Sequence, residues 1–165
     1  MLSPDYSSYD SDSGDAMPKT VVLRGDGGQV QIDALDYERP ASVDGSDANW
    51  LVCRCGVTVR EFSCDVNLSL MTGDFVRFHR QLDEALRLLK GTAVFTTAEA
   101  GLQFEITFKS AGHADVTGIV QSQLSAVPRR TKLDFSFESD QSFLSSTLDG
   151  VRAVIQQFPV RGAET

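Results

Sequence analysis

The sequence predicts an α+β fold: a twisted, mostly antiparallel β-sheet of six to eight strands with two amphipathic helices packed on one face. Three observations predict it. Between Leu51 and Leu70 apolar residues alternate with polar ones, the signature of half-buried strands. Two segments, 73–90 and about 140–157, repeat their apolar residues at spacings of three and four, as amphipathic helices do. The loops between the strand-like runs are short, so neighbouring strands should pair antiparallel. A helix stripe must lie on something apolar, and the phenylalanine-bearing strands provide it; the other sheet face stays wet.

The elements follow in order. Residues 1–18 are rich in Ser, Asp and Tyr with almost no aliphatics, which predicts a flexible acidic tail. Val21–Leu23 and Val30–Ile32 flank Arg24-Gly25-Asp26-Gly27-Gly28 and read as a hairpin on a glycine turn. The Arg-Gly-Asp tripeptide is then turn chemistry rather than an adhesion ligand. Residues 36–48 contain Pro, Gly and acids and read as an exposed loop. Leu51, Cys53, Cys55, Val57 and Val59 are odd-numbered, whereas Phe62, Cys64, Val66, Leu68 and Leu70 are even. A tight turn at Arg60-Glu61 explains the change of parity, and a bulge in one long strand is the alternative.

In the first helix Phe75, Phe78, Leu82, Ala85, Leu86 and Leu89 form one stripe, with Thr72 as cap and Gly91 as stop. Asp83 and Arg87 form an i,i+4 pair on its wet side. Strands follow over Ala93–Thr97, Leu102–Phe108, His113–Leu124 and Leu133–Phe137, broken by turns near Gly101, Gly112 and Pro128. Leu144, Leu148, Val151 and Ile155 mark the second helix, capped by Ser139 or Asp140, with Pro159 just beyond. Residues 19–160 then make a single domain, and 161–165 a short C-terminal tail.

Composition narrows the function. A chain of 165 residues buries enough of itself to fold without disulfides or metal. No apolar run reaches the roughly 18–20 residues a spanning helix requires, and the N-terminus has neither a basic nor an apolar segment, so a cytoplasmic protein is expected. Net charge is −8, of which residues 1–17 carry −4. The remaining 19 acids and 15 bases leave a mildly acidic body, which disfavours nucleic acid as a partner.

No Walker loop, Gly-x-Ser-x-Gly elbow or His-Glu-x-x-His motif is present, and the Gly25–Gly28 cluster is not followed by a helix. Cys53, Cys55 and Cys64 have the wrong spacing for structural zinc, and neither His79 nor His113 is an obvious fourth ligand; buried free thiols are the simpler reading. His79 reads as a surface residue and His113 as part of a turn. No cofactor, metal or catalysis is expected, and oligomeric state is not indicated. Two acidic groups are candidates for partner binding. The first is the stretch Asp26, Asp33, Asp36, Glu38, Asp44 and Asp47, opposed by Arg39. The second comprises Asp65, Glu105, Asp115, Asp134 and Glu138, all on the polar parity of their strands. A flat, solvated face does not raise a carboxylate pKa, so these acids suit binding better than acid–base chemistry.

The order of motifs adds a further expectation. Asn49-Trp50-Leu51 leads into a hairpin, followed by Asp74, Phe75, Phe78 and Leu82, then Leu88-Leu89-Lys90-Gly91. Leu102, Phe104, Ile106 and Phe108 alternate; Gly112-His113 leads to Val116 and Gly118; Phe135, Phe137, Asp140, Gln141, Phe143 and Leu144 open the last helix. Over about residues 48–160 this resembles the WapI-like immunity-protein family. The resemblance implies a cytoplasmic, non-catalytic protein that binds and neutralises a cognate toxin domain of a wall-associated contact-inhibition protein, a nuclease being one candidate for that toxin. A general protein-interaction or regulatory domain on the same scaffold is the alternative.

Overall fold

A computed structural model describes residues 17–43, 45–122 and 131–162. The expected tail over 1–18 falls almost wholly outside these residues, as do Asp44, the break at Pro128 and the last three positions. The chain runs β1 (Lys19–Gly25), β2 (Gly28–Tyr37), β3 (Trp50–Val59), β4 (Phe62–Met71), α1 (Thr72–Leu88), β5 (Thr92–Phe95), β6 (Leu102–Phe108), β7 (His113–Gln121), β8 (Lys132–Asp140) and α2 (Gln141–Gln157).

The α+β class and the antiparallel pairing are as expected, and the strands divide into two four-stranded meanders, β1-β2-β3-β4 and β5-β6-β7-β8. The division falls at α1. Two-residue turns keep successive strands adjacent, at Asp26-Gly27 with Gly27 at φ 69° and at Arg60-Glu61 with Arg60 at φ 52°. The 17-residue helix after β4 carries the chain away from that ladder, and β5 starts a new one. The parity change at Arg60-Glu61 is a turn, since Val59 pairs directly with Phe62.

One apolar face of each sheet and the stripes of both helices form a continuous core. Phe78 on α1 meets Phe95 and Phe104 edge-on at 5.5 and 5.3 Å, while Phe95 and Phe104 stack at 5.1 Å. Such pairs add roughly 0.5–1.5 kcal/mol to their burial. Leu89, expected on the α1 stripe, is exposed; it adopts a left-handed conformation (φ 48°) that ends the helix before Gly91.

Helix α2 lies along the open edge of β1. Thr147 Oγ1 donates to the Val22 carbonyl at 2.8 Å, Ser139 Oγ to the Arg24 carbonyl at 2.6 Å, and a side chain at Gly150 would press on the Thr20 carbonyl. Asp140 caps α2 by accepting Ser142 N–H at 2.8 Å, so Ser139 is free to serve the sheet edge. The cap of α1 departs from expectation. The Asp74 carboxylate accepts Met71 N–H at 2.9 Å, whereas the Thr72 hydroxyl turns inward to Asn49 Oδ1 at 3.2 Å. Asn49 Oδ1 also accepts Arg161 N–H at 2.7 Å, and the Arg161 guanidinium lies 3.4 Å over the Tyr37 ring. The Tyr37 hydroxyl donates to the Pro159 carbonyl at 2.6 Å, so the segment after α2 is clamped to the end of β2.

Candidate functional site

Alternation puts the polar residues of each sheet on its outer face. On the second sheet, register fixes three rows across the strands. Thr92, Thr107, Asp115 and Glu138 form one; Val94, Glu105, Thr117 and Ser136 the next; Gln103, Ile119 and Asp134 the third. Glu105, Asp115, Asp134 and Glu138 therefore share one surface. Asp115 and Glu138 are direct cross-strand neighbours, a repulsive arrangement on its own. Lys109 Nζ bridges them at 2.8 and 2.9 Å, and hydrogen bonds from these two carboxylates push its pKa up. Among the described residues neither Glu105 nor Asp134 has an ion-pair partner.

A shallow groove of about 400 Å³ crosses this face, lined by Val94, Thr96, Glu105, Thr117, Ile119 and Asp134. Its centre is apolar: Ile119 is 37% exposed on a row otherwise polar. Gly118 lies in its floor, and Phe104 and Phe135 close over that position on the core side. Next to it, Asp26, Arg60, Asp115, Ser136 and Glu138 line an open depression of about 460 Å³. Asp26 reaches this place because its N–H donates to the Glu138 carbonyl at 2.7 Å, tying the β1–β2 turn to β8.

The other candidates lie elsewhere. Asp33 and Asp65 are on the outer face of the first sheet, beside Arg54 in a depression of about 170 Å³. Asp33 accepts hydrogen bonds from Thr20 Oγ1 at 2.8 Å and Gln31 Nε2 at 3.0 Å. Asp36 accepts Tyr37 N–H, Glu38 accepts the Ser69 hydroxyl, and Asp47 pairs with Arg39 at 2.8 Å. Asp44 lies outside the described residues. The structure thus disperses the stretch Asp26–Asp47 over both sheets and the β2–β3 connection. It gathers four of the five strand acids, plus Asp26, on the second sheet.

Sequence reasoning missed Ile119, Val94, Lys109 and Arg60. Ile119 had a signal: it breaks the alternation of β7 by placing an apolar residue on the polar parity beside Val120. Lys109 and Arg60 had none, since their neighbours come from other strands.

The buried thiols are not poised for nucleophilic chemistry. Burial pushes the Cys55 thiol up to about 12, with the neighbouring Cys64 next in effect, and burial likewise raises Cys53. Such thiols are not nucleophiles at neutral pH. Among the described residues no three His, Cys, Asp or Glu side chains are grouped to hold a metal. His79, expected at the surface, is half-buried, and its Nε2 is buried with no hydrogen-bond partner among the described residues. No helix is long and apolar enough to cross a membrane among the described residues.

No curated protein matches the chain. The immunity protein WapI-like family matches residues 22–159, which takes in the first hairpin, all eight strands except the start of β1, and both helices. A match over most of the chain, running through both sheets and the helices that cover them, places this protein in the immunity protein WapI-like family.

Proposed function

We propose that the chain acts as a cytoplasmic immunity protein that binds a cognate toxin domain of a contact-inhibition system and neutralises it by occlusion, with no reaction of its own. The observation that carries this reading is the family match over residues 22–159. The toxin is proposed to be a nuclease, and the contact surface the outer face of the second sheet. Glu105, Asp115, Asp134, Glu138 and Asp26 give that face its charge, and the Val94–Ile119 groove gives it an apolar centre. A nuclease needs a basic cleft to hold its phosphates. A carboxylate-bearing surface speeds encounter with such a cleft, and a buried apolar centre then slows release.

The experiment pairs the chain with the toxin domain encoded beside its gene. Co-expression should restore growth, and the purified proteins should form a stoichiometric complex that blocks cleavage of nucleic acid. The double variant Glu105→Lys, Asp134→Lys should lose protection, while Asp33→Asn, Asp65→Asn on the other sheet should retain it. Absence of any complex defeats the reading. A complex with a toxin that leaves nucleic acid intact defeats the nuclease part alone.

A further inference from the structure

Three of the four sheet edges are engaged by specific devices. Helix α2 covers β1 through Thr147, and Ser139 at the end of β8 reaches the Arg24 carbonyl of the same edge. Helix α1 meets β5, where Gln81 Oε1 accepts Val94 N–H at 2.9 Å. The β1–β2 turn meets β8 through the Asp26 N–H. The fourth edge is β4. It pairs with β3 in unbroken register from Met71 to Phe62 and, among the described residues, with no other strand. Alternation from the Val59–Phe62 turn directs the N–H and C=O of Ser63, Asp65, Asn67 and Ser69 away from β3. Among the described residues no backbone hydrogen bond reaches them from that side.

Strands left at an edge are normally defended by proline, lysine, a bulge or brevity. β4 has ten residues, no proline, no lysine or arginine, no bulge, and a single charge at Asp65. Its apolar side is also uncovered at the turn end: Phe62 is 65% exposed, and Cys64 and Val66 are half-buried.

We propose that β4 pairs with β4 of a second copy of this chain, antiparallel about a two-fold axis at Val66, joining two four-stranded sheets into one of eight strands. Residues facing each other must share a sheet face, so the axis passes through a residue position. With the axis at Val66, Phe62 lies beside the partner's Leu70 and Cys64 beside the partner's Leu68. Asp65 then faces the partner's Asn67, an amide able to donate to it. Moving the axis to Asp65 sets two carboxylates against each other, and moving it to Asn67 carries Phe62 past the end of the facing strand. An axis at Cys64 pairs only residues 62–66, so Val66 is the axis that keeps Phe62 paired over the longest run without opposing carboxylates, and a copy of the same strand satisfies it. The acidic outer face of the second sheet takes no part and stays open to a different partner.

Sedimentation of the full chain at tens to hundreds of micromolar tests this. The expected mass is twice 18.0 kDa. Proline at an outward N–H is tolerated in an edge strand, so Asn67→Pro should keep the fold and sediment as a monomer. Phe62→Lys alters only an exposed side chain and should weaken the dimer at least about tenfold, a loss of roughly 1.4 kcal/mol. It decides the matter if Asn67→Pro fails to fold. A wild-type monomer throughout this range overturns the proposal, as do variants that dimerise like wild type. A monomer whose complex with the neighbouring toxin domain is broken by Asn67→Pro overturns it in favour of a toxin strand. Toxin neutralisation by either variant is a separate readout, so the dimer can fail while the immunity reading stands.

Discussion

Gly118 shapes both sides of the second sheet by lacking a side chain. A Cβ there would stand 2.7 Å from Phe104 Cβ and overlap the Phe135 ring, so the two phenylalanines close up only because this position is empty. Gly118→Ala is expected to cost about 1–3 kcal/mol, the usual penalty of overpacking, measurable by urea denaturation. The buried cysteines set a pH limit. Their folded pKa values are raised, so their neutral form is favoured in the fold and their stabilising effect is complete below the unfolded thiol value near 8.5. As pH rises beyond that value the unfolded state loses protons first, and stability should fall by about 1.4 kcal/mol per pH unit for each thiol. Denaturation at increasing alkaline pH checks this, and Cys55→Val should show a shallower decline. Asp74 runs the same way at acid pH. Burial raises its pKa against the pull of Met71 N–H and Arg77, so its carboxylate is held at a cost that protonation relieves.

Each helix covers the edge of a strand, and this explains why Thr147 on α2 and Gln81 on α1 stand facing the strand edges with polar side chains. Thr147 is fully buried and gives its proton to Val22. Thr147→Val keeps the shape and leaves that carbonyl unsatisfied, with an expected loss of about 1–3 kcal/mol in chemical denaturation. The sequence made the elements themselves legible. Odd parity from Leu51 to Val59 and even parity from Phe62 to Leu70 located the β3–β4 turn, and the stripes at Phe75–Leu82 and Leu144–Val151 located the helices. Local pattern records which face is apolar, not which strand lies next to it. The division into two sheets therefore escaped it, because that depends on where α1 carries the chain. The α1 cap escaped for a related reason. Thr72 has the right chemistry in the right place, but Asn49, 23 residues away, takes its hydroxyl.

Across the whole molecule, charge is informative only once folded. Asp26, Asp33 and Asp47 are close in sequence and lie apart in the fold, beside β8, on the outer face of the first sheet and in the β2–β3 connection, whereas Glu105 and Asp134 are far apart in sequence and line one groove. The sequence supplied the list of acids, and the strand register sorted it. If the second sheet steers a cationic partner, the association rate with the neighbouring toxin domain should fall steeply with added salt. Glu105→Lys with Asp134→Lys should slow it about tenfold or more at low ionic strength, and stopped-flow mixing measures both. The bond from Thr147 to Val22 also spans 125 residues of chain. Hairpins such as β1–β2 and β3–β4 can zip up locally, whereas the outer edge of β1 must wait for the final helix, and distant closures of this kind are slow. Refolding should thus show an early, sheet-rich species with β1 bare, sticky at high concentration, whose fate is decided in a race between α2 and a neighbouring molecule.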